Sequence, residues 1–255
     1  MTTFSLAASA TGSYADPASH TTVFTPVAGD FIIILVSDRS GTTHVDHAVA
    51  VNGTATGTLT KLGGEDNQIG DSNYRHTLSA WLYDIQTDDA FTTISGDDGT
   101  ANAKRMSYFV VNPSDSGYVA AMELKEIKFG KSETADWNNL DSGNTGSLSG
   151  DNDLCEIALA SCRTSTDVPV TTSFDAQTGD HTAVLGGNNN ITQVFAMEAS
   201  GQANGVKAAN INSDGSGNEG ICCILVFGPA AAGGTHPVNP LGHALTGALG
   251  GPIGA

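Results

Sequence analysis

The chain has 255 residues, of which 39% are hydrophobic, and this is enough apolar material for one large β-sandwich or for two small domains. Its net charge of -17 comes from 27 acidic and 10 basic residues. This balance opposes binding to nucleic acid, which depends on Lys and Arg displacing counterions from the phosphates. No apolar run reaches the roughly 18 residues of a membrane-spanning helix, and the residues after Met1 lack the pattern of a signal peptide. We therefore expect no nucleic-acid or membrane partner, and synthesis in a bacterial cytoplasm.

Short polar side chains and glycine dominate the rest of the composition. Charged residues make up only 15% of the chain, whereas glycine occupies 31 positions, and Ser, Thr, Asn and Asp fill many of the remaining ones. These residues are typical of turns between short strands. Because no window of about 11 residues combines a helical apolar period with helix caps, the composition predicts an all-β fold with few helices.

Alternating or continuous apolar runs, separated by turn residues, predict about fourteen short strands. In chain order they are Thr21 to Thr25, Asp30 to Ser37, Val45 to Val51, Gly57 to Leu62, Tyr74 to Ile85, Phe91 to Ser95, Arg105 to Asn112, Tyr118 to Phe129, Asp153 to Cys162, Val168 to Phe174, His181 to Leu185, Ile191 to Glu198, Gly205 to Ile211 and Ile221 to Phe227.

Two of these runs, Phe31 to Val36 and Ile221 to Phe227, are apolar at every position. Side chains alternate between the faces of a strand, so both faces of these two strands must be covered. Two sources of cover are consistent with the sequence: loops that lie over central strands, or a neighbouring subunit.

A short internal repeat relates the strand at Asp30 to Ser37 to the strand at Asp153 to Cys162. When the two are aligned, Ile33, Leu35, Ser37, Arg39 and Thr42 fall on Ile157, Leu159, Ser161, Arg163 and Thr166. The repeat indicates two similar halves that pack as an antiparallel β-sandwich or jelly roll, although chance identity is the alternative. The polar segment Ser132 to Asn152 is the expected connection between the halves.

The four cysteines do not have the spacing of a zinc site or of a disulfide scaffold. Cys155 and Cys162 lie in one predicted strand, seven positions apart, and Cys222 and Cys223 are adjacent, so each pair points to opposite faces. We expect buried free thiols. One cross-strand disulfide between Cys155 and either Cys222 or Cys223 is the alternative.

Catalytic and metal-binding patterns are weak. Glu123 and Glu126, three apart on a predicted strand, are expected to face opposite ways, which does not produce a glycosidase pair. The histidines are scattered, and His44 and His47 are not expected to share a strand face. No nucleophile-elbow, zinc-protease or phosphate-loop signature is present. We predict no catalytic residues, no metal site, no cofactor and no enzymatic activity.

Calcium is the one cation for which the sequence offers a cluster of ligand types. Five aspartates crowd two neighbouring turns, where turn capping explains them equally well because the EF-hand spacing is absent. They are Asp84, Asp88, Asp89, Asp97 and Asp98.

Three short motifs in the first half resemble β-sandwich proteins of tailed bacteriophage particles. They are Gly29-Asp30 before an aliphatic strand, then Thr58-Leu59-Thr60-Lys61-Leu62, then the aromatic-bearing strand Ser79-Ala80-Trp81-Leu82-Tyr83. The similarity spans Val27 to Ile85 and, more weakly, Asp153 to Phe227. It implies a non-enzymatic virion component, either a capsid decoration protein or a tail fibre or tip protein.

The C-terminal segment 229–255 reads as an extended arm that follows a β-sandwich domain of residues 1–228. Its repeated Gly and Pro disfavour a helix that could bury its apolar side chains internally. A neighbouring subunit is therefore the expected cover, and an arm folded back on its own sandwich is the alternative. The predicted assembly residues are Val238, Leu241, Leu245, Leu249 and Ile253.

Three classes of function follow from these patterns. The first is a structural virion protein that forms a homo-oligomer and binds other virion proteins. The second is a carbohydrate-binding sandwich or adhesin that contacts a host-surface glycan, for which Trp81 and Trp137 are the available tryptophans; Trp81 is expected to be a core residue. The third, a hydrolase, has no supporting arrangement of residues in the sequence.

Overall fold

The computed structural model describes most of the chain up to residue 229. The described residues are 2–14, 20–24, 27–40, 47–53, 57–67, 75–85, 91–97, 103–115, 117–132, 140–148, 153–164, 170–174, 177–178, 181–185, 191–203, 205–213 and 217–229.

Strands account for nearly all of the regular structure in these ranges. In chain order they are β1 (Phe4–Tyr14), β2 (His20–Phe24), β3 (Phe31–Ser40), β4 (Ala48–Gly53), β5 (Gly57–Asn67), β6 (Arg75–Ile85), β7 (Phe91–Asp97), β8 (Ala103–Pro113), β9 (Met122–Ser132), β10 (Leu140–Asp141), β11 (Cys155–Thr164), β12 (Val170–Phe174), β13 (Gln177–Thr178), β14 (His181–Leu185), β15 (Ile191–Met197), β16 (Ala209–Ser213) and β17 (Gly217–Pro229). One short helix, α1 (Tyr118–Ala121), replaces the beginning of the strand predicted at Tyr118 to Phe129. The expected all-β class is confirmed.

The strands form antiparallel sheets whose order is the same in the two parts of the chain. The first part has a five-stranded sheet ordered β1-β8-β3-β6-β5 and a three-stranded sheet ordered β2-β7-β4. The second part has a five-stranded sheet ordered β9-β17-β11-β15-β14 and a four-stranded sheet ordered β10-β16-β12-β13. Strand for strand, each position in the first part therefore has a counterpart in the second.

The central strands of the two five-stranded sheets, β3 and β11, are the strands that carry the sequence repeat. Two of the aligned pairs also have the same surroundings, whereas Thr42, Thr166 and the side chains of Arg39 and Arg163 lie outside the described residues. Ile33 and Ile157 lie in one buried apolar cluster, and so do Leu35 and Leu159. The repeat therefore corresponds to equivalent places in the two sheets.

The connection between the two parts differs from the expected one. Strand β9 pairs with β17 along its whole length and so belongs to the second five-stranded sheet. The connection is consequently residues 114–121, which include α1. The expectation that Ser132 to Asn152 joins the halves is wrong, because that segment lies inside the second part and contains β10.

One apolar layer lies between the two five-stranded sheets. The rings of Phe109 on β8 and Phe195 on β15 stack with centroids 4.2 Å apart. Those of Phe31 on β3 and Phe227 on β17 lie 5.9 Å apart. All four side chains are fully buried, so the inner faces of the two sheets cover each other.

The outer faces of the two large sheets are covered as well. On the first, Ile32, Ile34 and Val36 lie in a second apolar cluster, against which Val49 and Val51 of β4 pack. On the second, residues of β11, β15 and β17 form a further cluster with Ala209 of β16. Strands of the same chain thus bury both faces of β3 and β17. Neither covering loops nor a neighbouring subunit is needed for this.

We predict that Phe109→Ala and Phe195→Ala each lower the free energy of unfolding by about 3 to 5 kcal/mol, because each leaves a cavity in the layer shared by the two sheets. Val27→Ala is the control, since Val27 is 51% exposed, and its effect should stay within about 0.5 kcal/mol. Denaturant titration measures both. A loss below about 1 kcal/mol in the Phe variants would contradict the shared layer.

Candidate functional site

The predicted assembly residues of the arm lie outside the described residues. Val238, Leu241, Leu245, Leu249 and Ile253 therefore remain a prediction, and so does the division into a domain of residues 1–228 and an arm of residues 229–255.

The two glutamates of β9 share a strand face, contrary to the sequence-based expectation. The pairing of β9 with β17 shifts register between Val226 and Phe227, which leaves Lys125 as an extra residue in β9. Such a bulge changes the alternation of side chains. Leu124 and Ile127, although three apart, both pack against the inner cluster, so the glutamates next to them face the other way together.

Each of these glutamates is paired with a lysine. Lys125 Nζ lies 2.5 Å from Glu123 Oε1, and Lys128 Nζ lies 3.0 Å from Glu126 Oε1. Glu126 Oε2 also accepts the backbone N–H of Gly146 at 2.8 Å. These contacts favour a structural role for the two carboxylates over that of an acid and base pair.

A buried polar cluster on the outer face of the first large sheet gathers the residue types of a catalytic triad. His47 Nδ1 lies 2.7 Å from Ser79 Oγ. On the other side of the ring, His47 Nε2 lies 3.4 Å from Asp38 Oδ1 and 3.1 Å from Thr77 Oγ1. Sequence reasoning did not find this cluster.

The hydrogen bonds of the cluster are consistent with one direction of donation. Trp81 Nε1 donates to Ser79 Oγ at 3.1 Å, so the Ser79 hydroxyl proton is free to point at His47 Nδ1. With Nδ1 as acceptor, the Nε2 side of the ring faces the Asp38 carboxylate and the Thr77 hydroxyl. His47, which directly precedes β4, thereby contacts side chains of both β3 and β6.

Burial decides between a catalytic and a structural role for this cluster. Ser79 is 3% exposed, His47 6% and Asp38 0%. A serine nucleophile needs a substrate carbonyl within about 3 Å, whereas this hydroxyl lies in the layer between two sheets. The arrangement favours a polar clamp that holds β4 against β3 and β6.

The second half has a buried ion pair in its outer layer. Lys207 Nζ lies 2.7 Å from Glu156 Oε1, and the two side chains are 8% and 1% exposed. Glu156 is on β11, and Lys207 precedes β16. The pair holds the segment before β16 against β11, because separating Lys207 from Glu156 would leave an unpaired charge in an apolar layer.

Three cysteines are buried free thiols, as predicted, and these are Cys155, Cys222 and Cys223. The alternative disulfide from Cys155 to either of the other two is therefore wrong. Burial raises the pKa of each thiol above its ordinary value, with nearby acidic groups adding to the effect at Cys155. A raised pKa keeps the thiol protonated and unreactive. The side chain of Cys162 lies outside the described residues.

The calcium hypothesis is left open by the described part of the chain. Asp84 Oδ1 accepts the backbone N–H of Thr58, whereas the side chains of Asp88, Asp89, Asp97 and Asp98 are outside the described residues. Among the residues described, no three His, Cys, Asp or Glu side chains come together as a metal site.

Within the described ranges no helix has the length and apolar character needed to cross a membrane.

Trp81 was expected to be a core residue, but it is only partly buried in the structure. It packs against the outer cluster of the first large sheet, and Lys61 Nζ lies 5.5 Å from its ring centroid. Lys61 thus lies over a ring face on which a sugar would otherwise stack. Trp137 lies outside the described residues.

Comparison of the sequence with protein-family models, with curated proteins and with solved structures finds no match.

We predict that His47→Ala and Ser79→Ala each lower the free energy of unfolding by about 1 to 3 kcal/mol, because each leaves buried polar partners unsatisfied. Ser5→Ala, at an exposed serine on β1, is the control and should change it by less than about 0.5 kcal/mol. A fluorophosphonate reagent should not label the native protein. Labelling of Ser79 that disappears in Ser79→Ala would show a reactive nucleophile instead.

Proposed function

We propose that the chain is a non-enzymatic structural component of a tailed bacteriophage virion, either a capsid decoration protein or a tail fibre or tip protein. It is made in the host cytoplasm and assembles as a homo-oligomer with other virion proteins. The resemblance of Val27 to Ile85 to such proteins supports the proposal, and so does the strand order described above.

The strand order of each half is close to that of a jelly roll. A jelly roll places eight strands in two sheets through two Greek keys, with strands 1-8-3-6 in one sheet and 2-7-4-5 in the other. Here the first half has β1-β8-β3-β6-β5 and β2-β7-β4, so the two orders differ only in the sheet that strand 5 joins. We interpret each half as a jelly-roll sandwich and the chain as two of them in tandem.

The observation that carries the proposed role is the four-layer stack. Both faces of the central strands of both five-stranded sheets are buried inside the chain. Such a block is suited to bearing load and to presenting its edges and ends to neighbours, which is what a particle subunit does.

A carbohydrate-binding adhesin is the second candidate, and its main support is Trp81, which is only partly buried on β6. The packing of Trp81 reduces that support. A hydrolase would need Ser79 or the pair Glu123 and Glu126, and all three side chains are engaged in the contacts described above.

Particles purified from the organism that encodes the chain provide the test. Mass spectrometry of the particles should detect the wild-type protein at a fixed stoichiometry. A variant that lacks residues 236–255 should stay folded, with a melting temperature within a few degrees of the wild type, and should be absent from particles, because the arm is the proposed contact with a neighbour.

Two results would contradict this account separately. Absence of the wild-type chain from particles would refute the virion role. Normal incorporation of the truncated chain, or its failure to fold, would refute the assembly arm and leave the role itself intact.

A further inference from the structure

The two halves of the chain meet in the apolar layer between the two five-stranded sheets. The contacts across this layer are reciprocal. By strand order, β6 is the counterpart of β15, and β8 is the counterpart of β17. Strand β8 contacts β15, and the counterparts of these two strands, β17 and β6, also contact each other. Likewise β5 contacts β9, and β1 contacts β14. Reciprocal contacts of this kind are the mark of an isologous, two-fold interface.

One fully buried polar side chain interrupts this apolar layer. Gln193 on β15 is 0% exposed, yet it reaches into the opposite half. Its Nε2 donates to Ser37 Oγ at 2.7 Å and to the carbonyl oxygen of Arg105 at 3.1 Å. Its Oε1 accepts the hydroxyl of Ser107. A buried amide satisfied on both ends is a strong constraint on which surfaces can meet.

The counterpart of Gln193 in the first half is Leu78. Ser37 on β3 lies opposite Leu78 on β6, and Ser161 on β11 lies opposite Gln193 on β15. Ser107 on β8 lies opposite Leu35, and Cys223 on β17 lies opposite Leu159. Because Leu35 and Leu159 are aligned in the repeat, Cys223 is the counterpart of Ser107. The network is therefore made by the two halves together and breaks their equivalence.

We propose that Gln193, Ser37 and Ser107 form a pairing lock that makes the first half pair only with the second half. Two copies of the first half, joined through the same faces, would place Leu78 against the hydroxyls of Ser37 and Ser107 and leave them unsatisfied. In two copies of the second half, Ser161 would stand in place of Ser37, but Cys223, a weak donor, would stand in place of Ser107 opposite the Gln193 Oε1 atom. Each self-pairing thus buries polar groups without good partners.

The lock would act whenever two copies of the chain fold close together. Because the two halves have interchangeable strand orders, a half of one chain could otherwise pair with the same half of a second chain and produce swapped assemblies. The lock selects against that outcome by the loss of hydrogen bonds, in the way that a buried polar residue fixes the register of a coiled coil.

The test uses the full chain with a protease-cleavage sequence inserted between Asp115 and Gly117, two exposed residues in the connection. The protein is folded, cut, unfolded in denaturant and refolded. Native mass spectrometry then counts mixed pairs and self-pairs of the two fragments. Wild-type fragments should form mixed pairs at least about tenfold more often than self-pairs, the ratio expected when one buried polar group is left unsatisfied.

Gln193→Leu, which copies the residue of the first half, should raise the share of second-half self-pairs. Ser37→Ala with Ser107→Ala should raise the share of first-half self-pairs, and this variant decides the question if Gln193→Leu does not refold. Thr2→Ala is the control, because it removes only the hydroxyl contact with Asp153 Oδ2, away from Gln193, and should leave the pairing exclusive. Every variant retains the arm, so differences among them arise in the interface. Statistical pairing of wild-type fragments, or exclusive mixed pairing in both sets of lock variants, would overturn the proposal.

Discussion

The burial of both faces of each five-stranded sheet is the constraint on which the rest of the structure depends. Strands β3 and β17 contain the unbroken apolar runs Phe31 to Val36 and Ile221 to Phe227, and such a run loses stability on whichever face meets water. Placing the two large sheets against each other covers one face of each. The smaller sheets must then cover the other two faces, and four layers result.

The two outer layers solve the same packing problem with different side chains. In the first half, large residues such as Tyr83 and Tyr108 fill the space between the sheets, and the clamp around His47 closes one end. In the second half, Ala158 and Ala196 line the corresponding layer, together with an ion pair made by Glu156. A common strand order therefore leaves room for different interiors, and the two halves share one buried apolar layer.

Local patterns were sufficient to predict β3, β11 and the equivalence between them, because unbroken apolar runs and a repeated polar ending are visible in the residues themselves. They were insufficient for β1, whose small and polar side chains after Leu6 resemble a loop. The bulge at Lys125, which brings Glu123 and Glu126 to one face, arises from pairing with β17. Contacts of high sequence separation, such as His47 with Ser79, likewise depend on the folded topology and have no local signal.

Hydrogen exchange measured residue by residue in the native protein tests the four-layer account most directly. If the inner layer joins the halves into one cooperative unit, the amides of β3 and β11 exchange most slowly and with the same opening free energy, because both strands are central in sheets that share that layer. An opening free energy for β11 that is several kcal/mol below that of β3, or the reverse, would show that the halves unfold independently. That result would contradict the central claim.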